Sequence, residues 1–228
     1  MRATTHIVRG ELDAAAPDCR AVLAAGELRA GSTCLAQVMG GRDPQRAATL
    51  VEAVLARDAE PDSRQRAWAL AILADFEQRL GDPAGAARHL REALALVPWN
   101  DTYRVLLADA LLEGKQANEV IAVLAEALPS SATLVQRARA QRILERRDEL
   151  ERTLVVLDEQ LAVEARRGER IHLREEALLA LYVRPDPRRA LELATRNFGM
   201  QRESIDVRIL ARAARAANDL YGDRKSVV

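Results

Sequence analysis

Cysteine occurs only twice in the 228 residues, at Cys19 and Cys34, and no Cys-x-x-Cys pair is present. That usage signals neither a zinc site nor a disulfide framework. Aromatic residues make up only 3% of the chain, so any core must be aliphatic and close-packed. No apolar run approaches the roughly 18 residues that a membrane-spanning helix needs. The opening stretch MRATTHIVRGELD lacks the apolar centre of a signal peptide, and the chain as written reads as cytoplasmic. Excess charge of either sign is missing too: Lys plus Arg and Asp plus Glu number 34 each. A bulk field that would draw nucleic acid or an anionic membrane is thereby excluded. Lysine is nearly absent, with only Lys115 and Lys225. Arginine-for-lysine usage beside so much alanine reads as the coding bias of a GC-rich genome, which gives the arginines little weight as phosphate binders. Strand signals are scarce, with no Asn-Gly or Asp-Gly hairpin turn and no strand-length alternation of Val, Ile and Thr.

What the chain does have is helical periodicity. In RDELERTLVVLDEQLAVEARRG, Leu150, Leu154, Leu157 and Leu161 fall on one stripe, with Asp148 as the expected N-cap and Gly168 as the expected stop. RLGDPAGAARHLREALALVP predicts a tight turn between two helices. Leu80 closes the first, and Gly81 takes the left-handed conformation. Asp82 caps the second, Pro83 occupies its first turn and Pro98 ends it. The Asp-Pro step recurs at Asp43-Pro44 and Asp186-Pro187, which points to an internal repeat. Small or apolar residues at steps of four and three give the second-helix sets Ala15/Cys19/Val22, Ala47/Val51/Val54, Ala86/Leu90/Ala93, Val120/Leu124/Ala127, Leu150/Leu154/Leu157 and Ala190/Ala194/Asn197. They recur at a mean spacing of 35 residues. Pro17 falls inside the first of these helices and predicts a late start or a kink. Asn197 places a polar group where a small apolar one is expected.

The pattern resembles the tetratricopeptide repeat, a helix-turn-helix unit of roughly 34 residues. Leu70, Leu73 and Ala74 match its first helix, Gly81 its turn, Ala86, Leu90 and Ala93 its second helix, and Pro98 its end. The aromatic expected late in the first helix is displaced, with Phe76 one position early and Glu77 in its slot. The next repeat keeps Leu107, Ala108 and Leu111 and shortens the turn at Gly114. The resemblance is sharpest over residues 62–128. From Arg174 to Arg212 the chain is also similar to bacterial tetratricopeptide-repeat proteins that carry an export signal and further N-terminal repeats. The resemblance implies an all-α, right-handed superhelical solenoid of about six helical hairpins plus a C-terminal capping helix. It further implies a single domain over residues 1–221, with the first repeat truncated and a flexible tail at 222–228. A periplasmic or exported location is expected if residues are missing from the N-terminus. The small residues of the second helices are then seams, where backbones approach to the short end of the ~8–10 Å interaxial range.

The resemblance implies a non-enzymatic scaffold that holds a peptide or a partner's helix in its concave groove, with no cofactor and no metal. The inward-facing positions correspond to Trp68, Ile72, Asp75, Gln78, Arg79, Thr102, Val105, Asp109 and Glu113. Family members that grip a C-terminal carboxylate use Lys and Asn in this face. Here Ala71 and Asp75 fill those slots, which argues against such a ligand. Asp75, Asp109 and Glu113 point to a partner of basic or mixed character. Trp68 also admits a plain packing role. The residues themselves offer little chemistry: His172, Glu175 and Glu176 share a helix as part of an H-x-x-E-H pattern, but its last histidine is missing. His6 and His89 lie in other repeats. Both cysteines fall on apolar ladder positions and read as buried core residues; one sits on a second helix and the other on the next first helix, which leaves open whether they are neighbours. The run RARAQRILERRDELER, offset by its own acids, reads as a solvated helix face; a nucleic-acid-associated or regulatory module using arginine faces is the alternative. The last helix, about Glu203 to Leu220, sets Arg208, Arg212 and Arg215 beside Ile205, Ile209 and Leu210, as a cap would.

Overall fold

The computed structural model describes residues 2–57, 63–166 and 172–225. These residues form thirteen α-helices and one π-helical turn, and among them there is no strand. The helices fall into two compact units, Met1–Ala127 and Leu128–Val228.

The first unit holds four helical hairpins in chain order: α1 (Arg2–Val8) with α2 (Leu12–Ala24), α3 (Leu28–Gly40) with α4 (Pro44–Ala56), α5 (Ser63–Leu80) with α6 (Pro83–Leu96), and α7 (Asp101–Glu113) with α8 (Ala117–Val123). Each helix packs on the next, and the first helices α1, α3, α5 and α7 also touch in turn, forming a layer of their own. The second unit holds α9 (Ser131–Ile143) with α10 (Arg147–Arg166), α11 (Leu173–Leu178) with α12 (Pro187–Phe198), and the closing helix α13 (Ser204–Lys225). Leu179–Val183 continues α11 as a π-turn, in which the Arg184 N–H reaches back to the Leu179 carbonyl at 2.9 Å. The architecture is the expected all-α hairpin solenoid, and the hairpin count matches the six inferred from the repeat, with α13 added.

The Asp-Pro steps work locally as expected. Asp43, Asp82 and Asp186 each accept a hydrogen bond from a backbone N–H three residues on, at 3.0, 2.9 and 3.0 Å, with proline in the first turn. Each carboxylate satisfies a donor that the helix start leaves unpaired, and proline there has no N–H to lose. Gly81 takes φ +84°, where a Cβ would clash with the backbone. The seam residues are buried as well: Ala47, Val51, Ala86, Leu90, Ala93, Val120, Ala190 and Ala194 line the helix contacts.

Several local expectations are corrected. Pro17 lies inside an uninterrupted α2, so the helix neither starts late nor breaks; the proline simply has no N–H for the Asp13 carbonyl. Gly114 has φ −76°, and the left-handed residue of that turn is Lys115, at φ 60°. Glu145 does the same at φ 57° before α10. Because the chain reverses there, α10 begins at Arg147, the Leu150 N–H donates to the Arg146 carbonyl at 2.9 Å, and Asp148 stands in the first turn rather than at the cap. Its carboxylate still favours the positive end of the helix dipole. Gly168 lies outside the described residues. The helix α13 runs to Lys225, past the expected end at Leu220 and into the expected tail; residues 226–228 lie outside the described residues.

A left-handed backbone disfavours any residue with a Cβ, by about 1–2 kcal/mol. Both Lys115 and Glu145 are solvent-exposed, so little packing is lost on truncation. Lys115→Gly is expected to raise stability by roughly 0.5–1 kcal/mol in urea unfolding, with Glu145→Gly behaving alike. A loss of stability in both variants would contradict the left-handed assignment.

Candidate functional site

The layer of first helices places the predicted groove residues along α5 and α7. Trp68 is half-buried against a small cluster made by Ala3, Cys19 and Cys34, with Ile7, Leu35 and Val38 around it. One turn on, Ile72 rests on the α3–α4 core of Ala36, Ala47, Ala48 and Val51. Asp75 and Arg79 face each other on α5 at 4.0 Å. Arg79 also donates to the Gly40 carbonyl at the end of α3 and lies over the Phe76 ring, 5.7 Å from its centre. Arg79 therefore ties two first helices together. The Gln78 Nε2 is buried and has no hydrogen-bond acceptor among the described residues. On α7, Thr102 is exposed, and its backbone N–H donates to the Asn100 cap at 3.0 Å. Val105 and Glu113 are half-buried. Asp109 is only 4% exposed, so it lends the face charge rather than contact area.

The displaced aromatic has a structural reason. Phe76 points into the preceding hairpin, where it joins Ala36, Ala47 and Leu73. Glu77, in the vacated slot, faces the second helix of its own hairpin and pairs with His89 Nδ1 at 2.8 Å and with Arg88 at 3.8 Å. A hydrophobic contact within the hairpin is thus replaced by an ion pair, while the aromatic serves the contact between hairpins.

The cysteines are buried as expected, and they are bonded to each other: Cys19 of α2 and Cys34 of α3 form a disulfide with 5.4 Å between their Cα atoms. That separation suits a bridge. Two cysteines at a spacing with no recognised motif carry no pairing signal, so the bond became visible only when α2 and α3 were brought together. A cavity of about 510 Å³ lies beside this region, with Arg29, Ser32, Val54 and Arg57 in its wall and Gln65 donating to Glu27 at 3.4 Å. Its lining comes from three separate stretches, and sequence reasoning missed it.

Other candidates have settled roles. His172 Nδ1 stands 3.5 Å from Glu175, whereas Glu176 turns to Arg189 on α12 at 3.7 Å. Among the described residues, no three His, Cys, Asp or Glu side chains gather as a metal would require. No described helix is long and apolar enough to cross a membrane. The basic run is not a solvated face throughout: on α9, Gln136, Arg139 and Gln141 are buried. The Arg139 guanidinium stacks on Tyr182, 4.3 Å from the ring centre, and donates to Gln136 Oε1 at 2.6 Å. That geometry makes Arg139 an internal cation–π contact.

The second unit also holds a buried polar cluster. Arg174 of α11 grips Asp206 of α13 with both arms, Nε to Oδ1 at 2.7 Å and Nη2 to Oδ2 at 2.9 Å. It also donates to Glu203 at 2.5 Å and to Gln201 at 2.9 Å. Asn197 Nδ2 donates to Asp206 Oδ1 at 2.7 Å, and the Glu203 N–H to Oδ2 at 3.0 Å. Asn197, out of place on an apolar ladder, is thus the donor that a buried carboxylate needs. Burial by itself would lower the Arg174 pKa, but Asp206 and Glu203 outweigh it and hold the guanidinium above its ordinary range.

The four hairpins of the first unit turn at Gly or Asp-Pro steps, with small residues in their seams and first helices that touch in succession. Residues 77–144, from the end of α5 through α9, match the tetratricopeptide repeat family model. The chain contains tetratricopeptide repeats. The matched stretch covers α6, α7, α8 and α9 whole, and so includes the Glu77–His89 contact and the Thr102, Val105, Asp109 and Glu113 positions of the candidate face. No curated protein matches the chain. Tetratricopeptide repeats are generally protein-interaction modules.

Proposed function

We propose that this protein is a non-enzymatic scaffold whose first-helix face, along α5 and α7, takes up a peptide or a helical segment of a partner protein. The observation that carries the reading is the tetratricopeptide-repeat match over residues 77–144, which takes in all of α7, beside the half-buried Trp68 and Ile72 on α5. A Trp flanked by an aliphatic residue supplies the apolar anchor that peptide contacts use. Asp75 and Glu113, with Asp109 beneath them, favour a partner of basic or mixed character. Thr102 and Val105 extend the same face. Arg79 serves to hold α5 on α3. The Cys19–Cys34 bond favours an oxidising compartment such as the periplasm over the cytoplasm.

Selection of peptides from a displayed library on the full chain tests this. Selected peptides should be enriched in Lys or Arg. Trp68→Ala should weaken their binding about tenfold or more, equivalent to about 1.4 kcal/mol, and Gln78→Ala should weaken it less. If both variants bind the selected peptides as the wild type does, the face is misassigned.

A further inference from the structure

We propose that the Cys19–Cys34 bridge builds the seat of Trp68, so that presentation of this anchor depends on the bond having formed. The other packed regions of the first unit rest on large side chains: Leu73 and Phe76 around α3–α5, Leu70 and Val97 around α5–α6. Among the described residues, the buried members of the cluster under Trp68 are Ala3, Cys19 and Cys34, with Ile7, Leu35 and Val38 partly buried around them. The buried members are one methyl and two sulfur atoms, and the larger side chains beside them stay partly open to water, so apolar burial here holds α2 and α3 together less than it holds the helices of the other clusters. The covalent bond supplies what the side chains do not, because it ties the two helices across a separation of 15 residues. Cys19 is 0% and Cys34 7% exposed, so an attacking thiolate reaches the sulfurs only when the helices part. The bridge is therefore a lasting part of the fold once made. Only α5 crosses from this cluster into the candidate face, and it does so through Trp68.

The bond forms by exchange with a disulfide oxidant such as oxidised glutathione. One cysteine thiolate attacks the oxidant's disulfide and expels a glutathione thiolate. The second cysteine thiolate then attacks the mixed disulfide and expels the other. Two electrons pass to the oxidant, and the two cysteine protons go to solvent or to the departing thiolates. A dithiol reductant runs the same steps in reverse.

The proposal rests on the groove reading for its functional meaning, and its test does not use a partner. In the full chain carrying Trp99→Phe, Trp68 becomes the single tryptophan. Acrylamide quenching of its fluorescence is measured with the bridge formed by oxidised glutathione, after reduction by a dithiol, and in the Cys19→Ala/Cys34→Ala variant. The expected result is severalfold stronger quenching without the bridge by either route, with a fall in Tm of about 5–10 °C. Helical circular dichroism identifies any variant that fails to fold, and the reduced wild type then supplies the comparison. Thiols that stay titratable after oxidised glutathione, or equal quenching with and without the bridge, overturn the proposal. Unchanged peptide binding by Trp68→Ala would instead sink the groove reading and leave this result standing.

Discussion

Arg174→Met is expected to destabilise the second unit by about 3–5 kcal/mol, the largest loss from any single polar substitution in that unit. Arg174 is the only cation in direct contact with Asp206 among the hydrogen bonds described above, and the Asp206 side chain is 1% exposed. Without the guanidinium, the donors to Asp206 described above that remain are Asn197 Nδ2 and the Glu203 N–H, both neutral. A buried carboxylate without a cation beside it acts against α13 staying docked on α11 and α12. Asp206→Asn should cost less, because Arg174 retains Glu203 and Gln201. Replacing both charges, as Arg174→Met with Asp206→Leu, should recover a large part of the loss, since no ion is then left buried. Urea unfolding followed by circular dichroism reads all three. A loss below about 1 kcal/mol for Arg174→Met would show the pair to be ordinary surface pairing. The sign with pH is clear for the cation. Its pKa is raised in the folded state, so its contribution is complete below the unfolded value and disappears only as strong alkali strips the guanidinium. Neutral and mildly basic solutions should leave this part of the stability untouched.

Phe76→Ala should cost the first unit a similar amount, about 3–5 kcal/mol, by a different mechanism. The ring is 1% exposed and fills the junction of α3, α4 and α5. Gly40, the last residue of α3, makes room for it: a Cβ there would stand 2.8 Å from Phe76 Cζ and 3.3 Å from the Ala47 Cβ. Neither neighbour has space to yield, so Gly40→Ala should itself destabilise the wild type by about 1–3 kcal/mol. In the Phe76→Ala background the same methyl enters the cavity left by the ring. The double variant should therefore be more stable than the sum of the two single losses implies, with a coupling of about 1 kcal/mol or more. Additive losses would mean that glycine and ring are not in contact.

How much was legible depends on the range of each interaction. Asp43, Asp82 and Asp186 cap their helices through hydrogen bonds that span three residues, and their consequence can be read from the string. Gly81 and the seam alanines obey the same logic, because a helix turn carries its own geometric demands. Lys115 and Glu145 break the rule that glycine fills a left-handed turn, so their conformation carries no local signal in the sequence. The face along α5 was legible as a set of positions through the family resemblance. Its inner workings were not: that Arg79 holds the Gly40 carbonyl, that Asp109 is buried and that Gln78 lacks an acceptor all depend on neighbouring helices.

By itself, the order of residues settled that this chain is helical, that it reverses in short capped turns, and that repeated small residues let the hairpins stack. These follow from backbone preference and periodicity within one hairpin. Folding in three dimensions decided which distant groups meet: Cys19 with Cys34, Glu77 with His89, Phe76 with Gly40, Arg174 with Asp206 and Asn197. Each such pair spans at least one turn or helix boundary, and its energy comes from burial and close approach, which exist only after the helices have packed.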